Sequence, residues 1–326
     1  MELICPAGTL AALRAAVDAG ADSVYCGFRD ETNARNFPGL NFSREELREG
    51  VKYAHAHKAQ VFVAINTYMA AGRPESWFRA VDDAKACGAD AVILADIGLL
   101  DYASKKHPDL RLHLSVQASA SNPDAIRLYQ QRFGIRRVVL PRVLTIQDIA
   151  KLNKEISIET EVFVFGGMCP MAEGRCSLSS YATGNSPNVQ GVCSPASHVR
   201  DDQRDGDLVS RLGDFTINVF EDGEPAGYPT LCKGRFVSHD KVQYLFEEPT
   251  SLNAIDLLPD LKAAGVMALK IEGRQRGRAY IAAVVKSLRE AVDGFERTGK
   301  VPSSRALQDL AEGHADTAGA YKKTWR

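Results

Sequence analysis

Eight short apolar runs, each separated from the next by an amphipathic stretch, constrain this chain more than any other feature. The first is ELICPA at 2–7, followed by the helical pattern TLAALRAAVDAG with Thr9 as its cap and Gly20 as its stop. SVYCG (23–27) precedes REELREGVKYAHAH, which Ser43 caps. Then come VFVAIN (61–66) with a helix near 74–87, and AVILAD (91–96) with a helix near 98–105. LHLSVQAS (112–119) leads to a helix opening at Asn122-Pro123, RVVLPR (137–142) to one from Thr145, and EVFVFG (161–166) is the seventh run. After 167 the rhythm breaks into a Gly-, Pro-, Ser- and charge-rich segment to about 250 without a clean period. It resumes with a helix at 253–264, the strand ALKIEG (268–273) and a long helix over about 277–297.

Strands alternating with helices imply a parallel sheet, and eight units at this length imply a TIM-type (β/α)8 barrel with a large insertion after the seventh strand. An open doubly wound sheet is the other arrangement the pattern allows. The expected segments are 1–166 for seven barrel units, 167–250 for the insertion, 251–297 for the last unit and 298–326 for a polar tail. With 45% hydrophobic residues in 326, the chain can bury a full-sized core. Forty basic against 41 acidic residues give a net charge of -1, which predicts no general attraction to nucleic acid or anionic membrane. The start lacks the basic and apolar regions of a secretory leader, so a cytoplasmic protein is expected.

Seven cysteines in such a setting point to metal or redox chemistry before disulfides. Cys169, Cys176, Cys193 and Cys232 gather in the insertion with the spacing C-x6-C-x16-C-x38-C. A long loop-rich segment needs something to hold it, and a metal bound by four thiolates would do so. Structural zinc sites usually carry short C-x2–4-C knuckles, which are missing, whereas iron–sulfur centres accept looser spacing. Spacing alone leaves both open. Cys5, Cys26 and Cys87 stand apart and read as small core residues.

Period two on the strands supplies a second candidate site. Lys270, Glu272 and Arg274 share one face of ALKIEGR, and His113, Ser115, Gln117 and Ser119 share one face of LHLSVQAS. The apolar faces must cover helices, so these polar faces should point into the barrel. Asn66, Asp96 and Arg142 end other strands, where barrel enzymes carry their chemistry. Such polarity fits either a self-satisfied network, with Lys270 and Arg274 paired to Glu272 and Asp96, or a ligand with two carboxylates. On the second reading Arg142, Lys270 and Arg274 recognise charge, and Asn66, Gln117 and Glu272 orient the ligand. Neither an H-E-x-x-H nor a G-x-S-x-G motif occurs, so hydrolytic chemistry has no support from motifs.

The run EVFVFGGMCPMAEGRCSLSS (161–180) resembles the signature of the collagenase-like peptidase family, U thirty-two. Glu161, Phe163, Gly166, Met168, Cys169, Gly174, Cys176, Leu178 and Ser179 fit its pattern, and Gly167 stands where Ser or Ala is usual. NARNFPGLNFS (33–43), SVQASASN (115–122), GYPTLCKGR (227–235) and KIEGRQR (270–276) extend the resemblance over nearly the whole chain. The resemblance implies a 4Fe–4S cluster on Cys169, Cys176, Cys193 and Cys232. It also implies oxygen-independent hydroxylation of a ubiquinone precursor together with a paralogous partner chain, with prephenate as the candidate oxygen donor. Other members act on RNA bases. Tyr321 and Trp325 in the tail are candidate interface anchors, the alternative being a tail that folds back on its own barrel.

Overall fold

The computed structural model describes residues 1–322 apart from 170, 172, 174, 175, 192, 225, 227, 228, 303 and 304, and gives no side chain for His314. Seven parallel strands run in chain order: β1 (Glu2–Pro6), β2 (Ser23–Cys26), β3 (Gln60–Ile65), β4 (Ala91–Leu94), β5 (Arg111–Leu114), β6 (Arg137–Val139) and β7 (Glu159–Gly167). Alternating with them are α1 (Leu10–Asp18), α2 (Arg44–Ala56), α3 (Glu75–Ala86), α4 (Ile97–Lys106), α5 (Pro123–Phe133) and α6 (Ile146–Glu155). The insertion begins with the short helix α7 (Leu178–Thr183) and the antiparallel strands β8 (Val199–Arg204), β9 (Asp207–Leu212) and β10 (Phe215–Phe220). A hairpin of β11 (Arg235–Ser238) and β12 (Lys241–Tyr244) follows. Next, β13 (Ser251–Asn253) pairs antiparallel with the end of β7, and α8 (Leu258–Ala263) leads to β14 (Ala268–Ile271). β14 pairs in parallel with both β1 and β7, so the eight-stranded barrel closes. α9 (Arg278–Thr298), α10 (Arg305–Gln308) and β15 (Asp316–Thr317) complete the chain.

The helices start where the sequence supplies caps. Thr9 Oγ1 accepts from Ala12 N, Asn122 Oδ1 from Ala125 N, and Ser43 and Thr145 form capping boxes with Glu46 and Asp148. Three expectations change. The last-but-one helix is shorter than 253–264, because β13 takes up 251–253 and a 3-10 turn precedes α8. β5 ends at Leu114, so Gln117 lies in a 3-10 turn that Ser115 and Ser119 flank, instead of on a strand face. The insertion, read as irregular, holds two small sheets.

Alternate strand residues divide two cores. Leu3, Cys5, Val24, Cys26, Val61, Val63, Leu114, Val138, Leu269 and Ile271 pack outward with the helices. Ile4, Tyr25, Phe62, Ala64, Ala91, Ile93 and Ala268 form a separate cluster inside the barrel. Cys5 and Cys26 thus face the helix layer, and with Cys87 all three are buried, as small core residues would be.

The inward set also carries charge. Arg137, at the start of β6, bonds Glu2 and, at 2.8 Å, Glu159, and approaches Glu161 at 3.4 Å. Arg111 pairs with Glu159 at 2.7 Å and Lys270 with Glu161 at 2.6 Å. Three cations therefore face three carboxylates in the lower barrel. Among the described residues no helix is long and apolar enough to cross a membrane.

Candidate functional site

The insertion lies across the C-terminal ends of the barrel strands, and named backbone bonds hold it there. Tyr68 N donates to Asn188 O at 3.1 Å, Asn36 N to Gly191 O at 3.4 Å and Met168 N to Thr250 O at 3.4 Å. Gly191 has φ +80°, and a Cβ there would stand 2.3 Å from Asn33 O, so only glycine allows this approach of insertion to barrel loop. Gly166 plays a similar part at φ +123°, where a Cβ would meet Glu272 O at 2.5 Å. That contact gives the signature glycine a steric reason.

Each of the four late cysteines sits at a fixed point of this lid. Cys169 comes two residues after β7 and is exposed, while Cys176, Cys193 and Cys232 are half-buried. Asn188 Nδ2 donates to Cys176 O at 3.3 Å, and Ser179 Oγ, near the start of α7, donates to Cys193 O. Cys232 lies in a 3-10 turn whose Leu231 packs with Leu212 and Ile217 in a satellite core, against which Leu178 and Ala182 of α7 also rest. Their packing brings the loops of Cys176 and Cys232 together. Burial pushes the Cys232 thiol up to about 11, and Cys169 and Cys193 add to the rise. Burial also raises Cys193, against the opposing pull of Arg35. The thiols thus share one electrostatic environment, and a metal binding there would have to displace their protons. Among the described residues no three His, Cys, Asp or Glu side chains converge tightly enough to chelate a single ion.

Below the lid, the expected residues of the strand ends differ in their partners. Lys270 is inside the barrel, but its partner is Glu161 instead of Glu272 or Asp96, and its ammonium lies 3.7 Å from the Tyr25 ring centroid. Asp96 caps α4, accepting from Gly98 N and Leu99 N, and takes Met69 N as well, so it stabilises the helix start. Asn66 accepts from Ala34 N at 3.0 Å and donates to Ser115 Oγ at 3.3 Å, which orders the loops. Gln117 Oε1 is buried with no hydrogen-bond partner among the described residues. Arg142 stacks 3.6 Å from the Phe163 centroid and bonds Glu173 at 2.7 Å. Glu272 lies 3.8 Å from Arg35.

Arg274 differs from all of these. It is 5% exposed, yet among the described residues it makes no ion pair. Among the described residues its hydrogen bond runs from Nη1 to Asn33 Oδ1 at 3.3 Å, and its guanidinium lies 5.5 Å from the Tyr25 centroid. Burial pulls it down from the usual arginine range to about 10. A guanidinium carries five N–H donors, so most of this desolvated cation is left unused. Tyr25, Asn33 and Arg35 share the surroundings of Arg274, Glu173 pairs with Arg142 and Glu161 lies deeper with Lys270; all five were missed as site residues. Period two in SVYCG and ETEVFV was the available signal for Tyr25 and Glu161.

The tail folds back on the barrel: Tyr321 is buried and its hydroxyl donates to Phe163 O at 2.6 Å. This overturns its expected role as an interface anchor, and Trp325 lies outside the described residues.

The model of Peptidase family U32 matches residues 8–321. The chain belongs to that family. Among its U32 relatives, an uncharacterized protease of Methanocaldococcus jannaschii is 33% identical over 298 residues, covering 90% of this chain and 65% of the relative. tRNA hydroxylation protein P of Escherichia coli is 32% identical over 333 residues, covering 96% and 72%. A 23S rRNA 5-hydroxycytidine synthase of the same organism is 28% identical over 302 residues, covering 90% and 40%. The chain therefore spans about two thirds of the first two relatives and less of the third. These relatives carry both protease and hydroxylation names, so the reaction is left to the chemistry of the site.

Proposed function

We propose that this chain is an iron–sulfur subunit of an oxygen-independent hydroxylase. Cys169, Cys176, Cys193 and Cys232 would hold a 4Fe–4S cluster, and the barrel mouth beneath would bind a small anionic oxygen donor. Support for a hydroxylase comes from relatives named for tRNA and rRNA hydroxylation. Support for a cluster comes from four cysteines on one lid, since four thiolates are the usual ligand set of such a centre. When bound, a cluster saturated by four thiolates supplies electron transfer or structural support.

The observation that carries the donor site is the burial of Arg274 without an ion pair among the described residues, Glu272 acting on it only from beyond contact distance. A buried cation without a counter-charge costs several kcal/mol, on the order of the penalty for breaking a buried ion pair. A ligand carboxylate on its bidentate fork would remove that cost. Gln117 offers its unpartnered amide oxygen to a donor hydroxyl. Prephenate, a dicarboxylate, is the proposed donor. Arg142 and Lys270 are already paired with Glu173 and Glu161, so they shape the pocket and leave charge recognition to Arg274.

For the acceptor we favour the aromatic ring of a ubiquinone precursor, with a UbiV-like paralogue as the heterodimer partner. The ground is the resemblance of the quoted segments to UbiU, a member of the family, together with the chain's near-neutral charge. An RNA base is the second reading, favoured by the names of the relatives. Anaerobic cells lacking the gene decide between them. Under-hydroxylated quinone precursors with normal tRNA and rRNA support the first. Missing hydroxyl groups in RNA with normal quinones support the second.

A further inference from the structure

The loop after β2 touches both the lid and the barrel mouth. Asn33, fully buried, accepts on one oxygen from Arg274 Nη1 at 3.3 Å and from Arg35 N at 2.9 Å. Ala34 N is fixed by Asn66 and Asn36 N by Gly191 O. Gly191 stands two residues before Cys193, so the backbone of this loop is flush with the cysteine lid. Arg35 projects from the middle of it. Its Nη1 donates to Ala34 O at 2.8 Å, and Glu272, the nearest carboxylate, is 3.8 Å from Nε. That separation is too long for a hydrogen bond, so the guanidinium is only loosely neutralised. Its field falls on Cys193 and Cys169 as well as on Glu272. Lys233, beside Cys232, is by contrast tied to Glu312.

Resting on the cluster reading, we propose that Arg35 is a positioning residue that raises the reduction potential of the group held by the four cysteines. Adding an electron adds negative charge at the thiolates, and a nearby cation stabilises that state. Because Asn33 accepts from Arg274 Nη1 and from the backbone N of Arg35 together, the same side chain that braces the anion subsite fixes the backbone from which this cation projects.

The test is an anaerobic redox titration of cluster-loaded protein, followed by electron paramagnetic resonance, with iron and sulfide measured on each sample. Arg35→Gln should lower the potential by roughly a tenfold change in the reduction equilibrium, about 59 mV for a one-electron couple. Arg35→Lys, which keeps the charge, should restore most of it. Glu272→Gln should shift the potential upward, because the counter-charge to Arg35 is gone, and this variant carries the test if Arg35→Gln fails to load. An unchanged potential in a fully loaded Arg35→Gln, or in Glu272→Gln where that variant stands in, overturns the proposal alone. A wild-type chain that takes up no iron overturns the cluster reading and this inference with it.

Discussion

The floor and the mouth of this barrel are both polar, but they balance charge differently. At the floor Arg111, Arg137 and Lys270 meet Glu2, Glu159 and Glu161 within 3.4 Å, and every cation has a carboxylate. At the mouth Arg274 is as deeply buried with no ion pair among the described residues, and Arg35 is held off from Glu272. A closed network serves the fold, because each charge offsets a neighbour's desolvation. An open one is a cost the fold alone does not repay, which is the mark of a place prepared for something else.

The largest effect that would break the comparison lies at the floor. Arg137→Ala leaves Glu2, Glu159 and Glu161 short of a cation, and should cost about 3–5 kcal/mol in urea unfolding. A loss below 1 kcal/mol would mean the floor is not a structural unit. At the mouth the sign reverses. Arg274→Met should leave stability within about 1 kcal/mol of wild type or raise it, because an uncompensated buried charge is removed. The same change should weaken prephenate binding by about tenfold to a hundredfold in calorimetry, the range for a lost charged hydrogen bond. Unaltered affinity would close the mouth as an anion site.

A smaller effect concerns acid. His113 Nε2 accepts from Arg111 at 2.9 Å, so the ring is neutral, and burial first, then Arg137, Arg111 and Lys270, hold it well below its ordinary 6.5. The unfolded chain takes up a proton that the folded one refuses. The contribution of His113 is therefore complete above 6.5 and falls as pH drops below that value, by up to about 1.4 kcal/mol per pH unit. Melting curves between pH 7 and about 5 should show the decline, and His113→Gln should flatten it.

The barrel was legible because its strands are bounded apolar runs and its helices open on side-chain caps at Thr9, Ser43, Asn122 and Thr145. The insertion's sheets were not, since β8 is a run of charged and exposed residues with no buried face to set a period. Extending the strand period past Leu114 placed Gln117 wrongly, because the Ser115 side chain accepts from Gln117 N and turns the chain into a 3-10 segment. Lys270 was placed inward correctly. Its partner was not, since Glu161 is 109 residues away and only barrel closure joins β14 to β7. Arg274 was named from its strand face, but its lack of a counter-charge is a property of three dimensions alone.

The account turns on what the cysteines hold, and anaerobic purification and reconstitution test that directly. The chain should be brown, with about four iron and four sulfide per molecule. Alanine at Cys169, Cys176, Cys193 or Cys232 should lower the iron content, whereas Cys87→Ala should not. A colourless protein with one zinc per chain, or iron that survives the loss of all four cysteines, would contradict it.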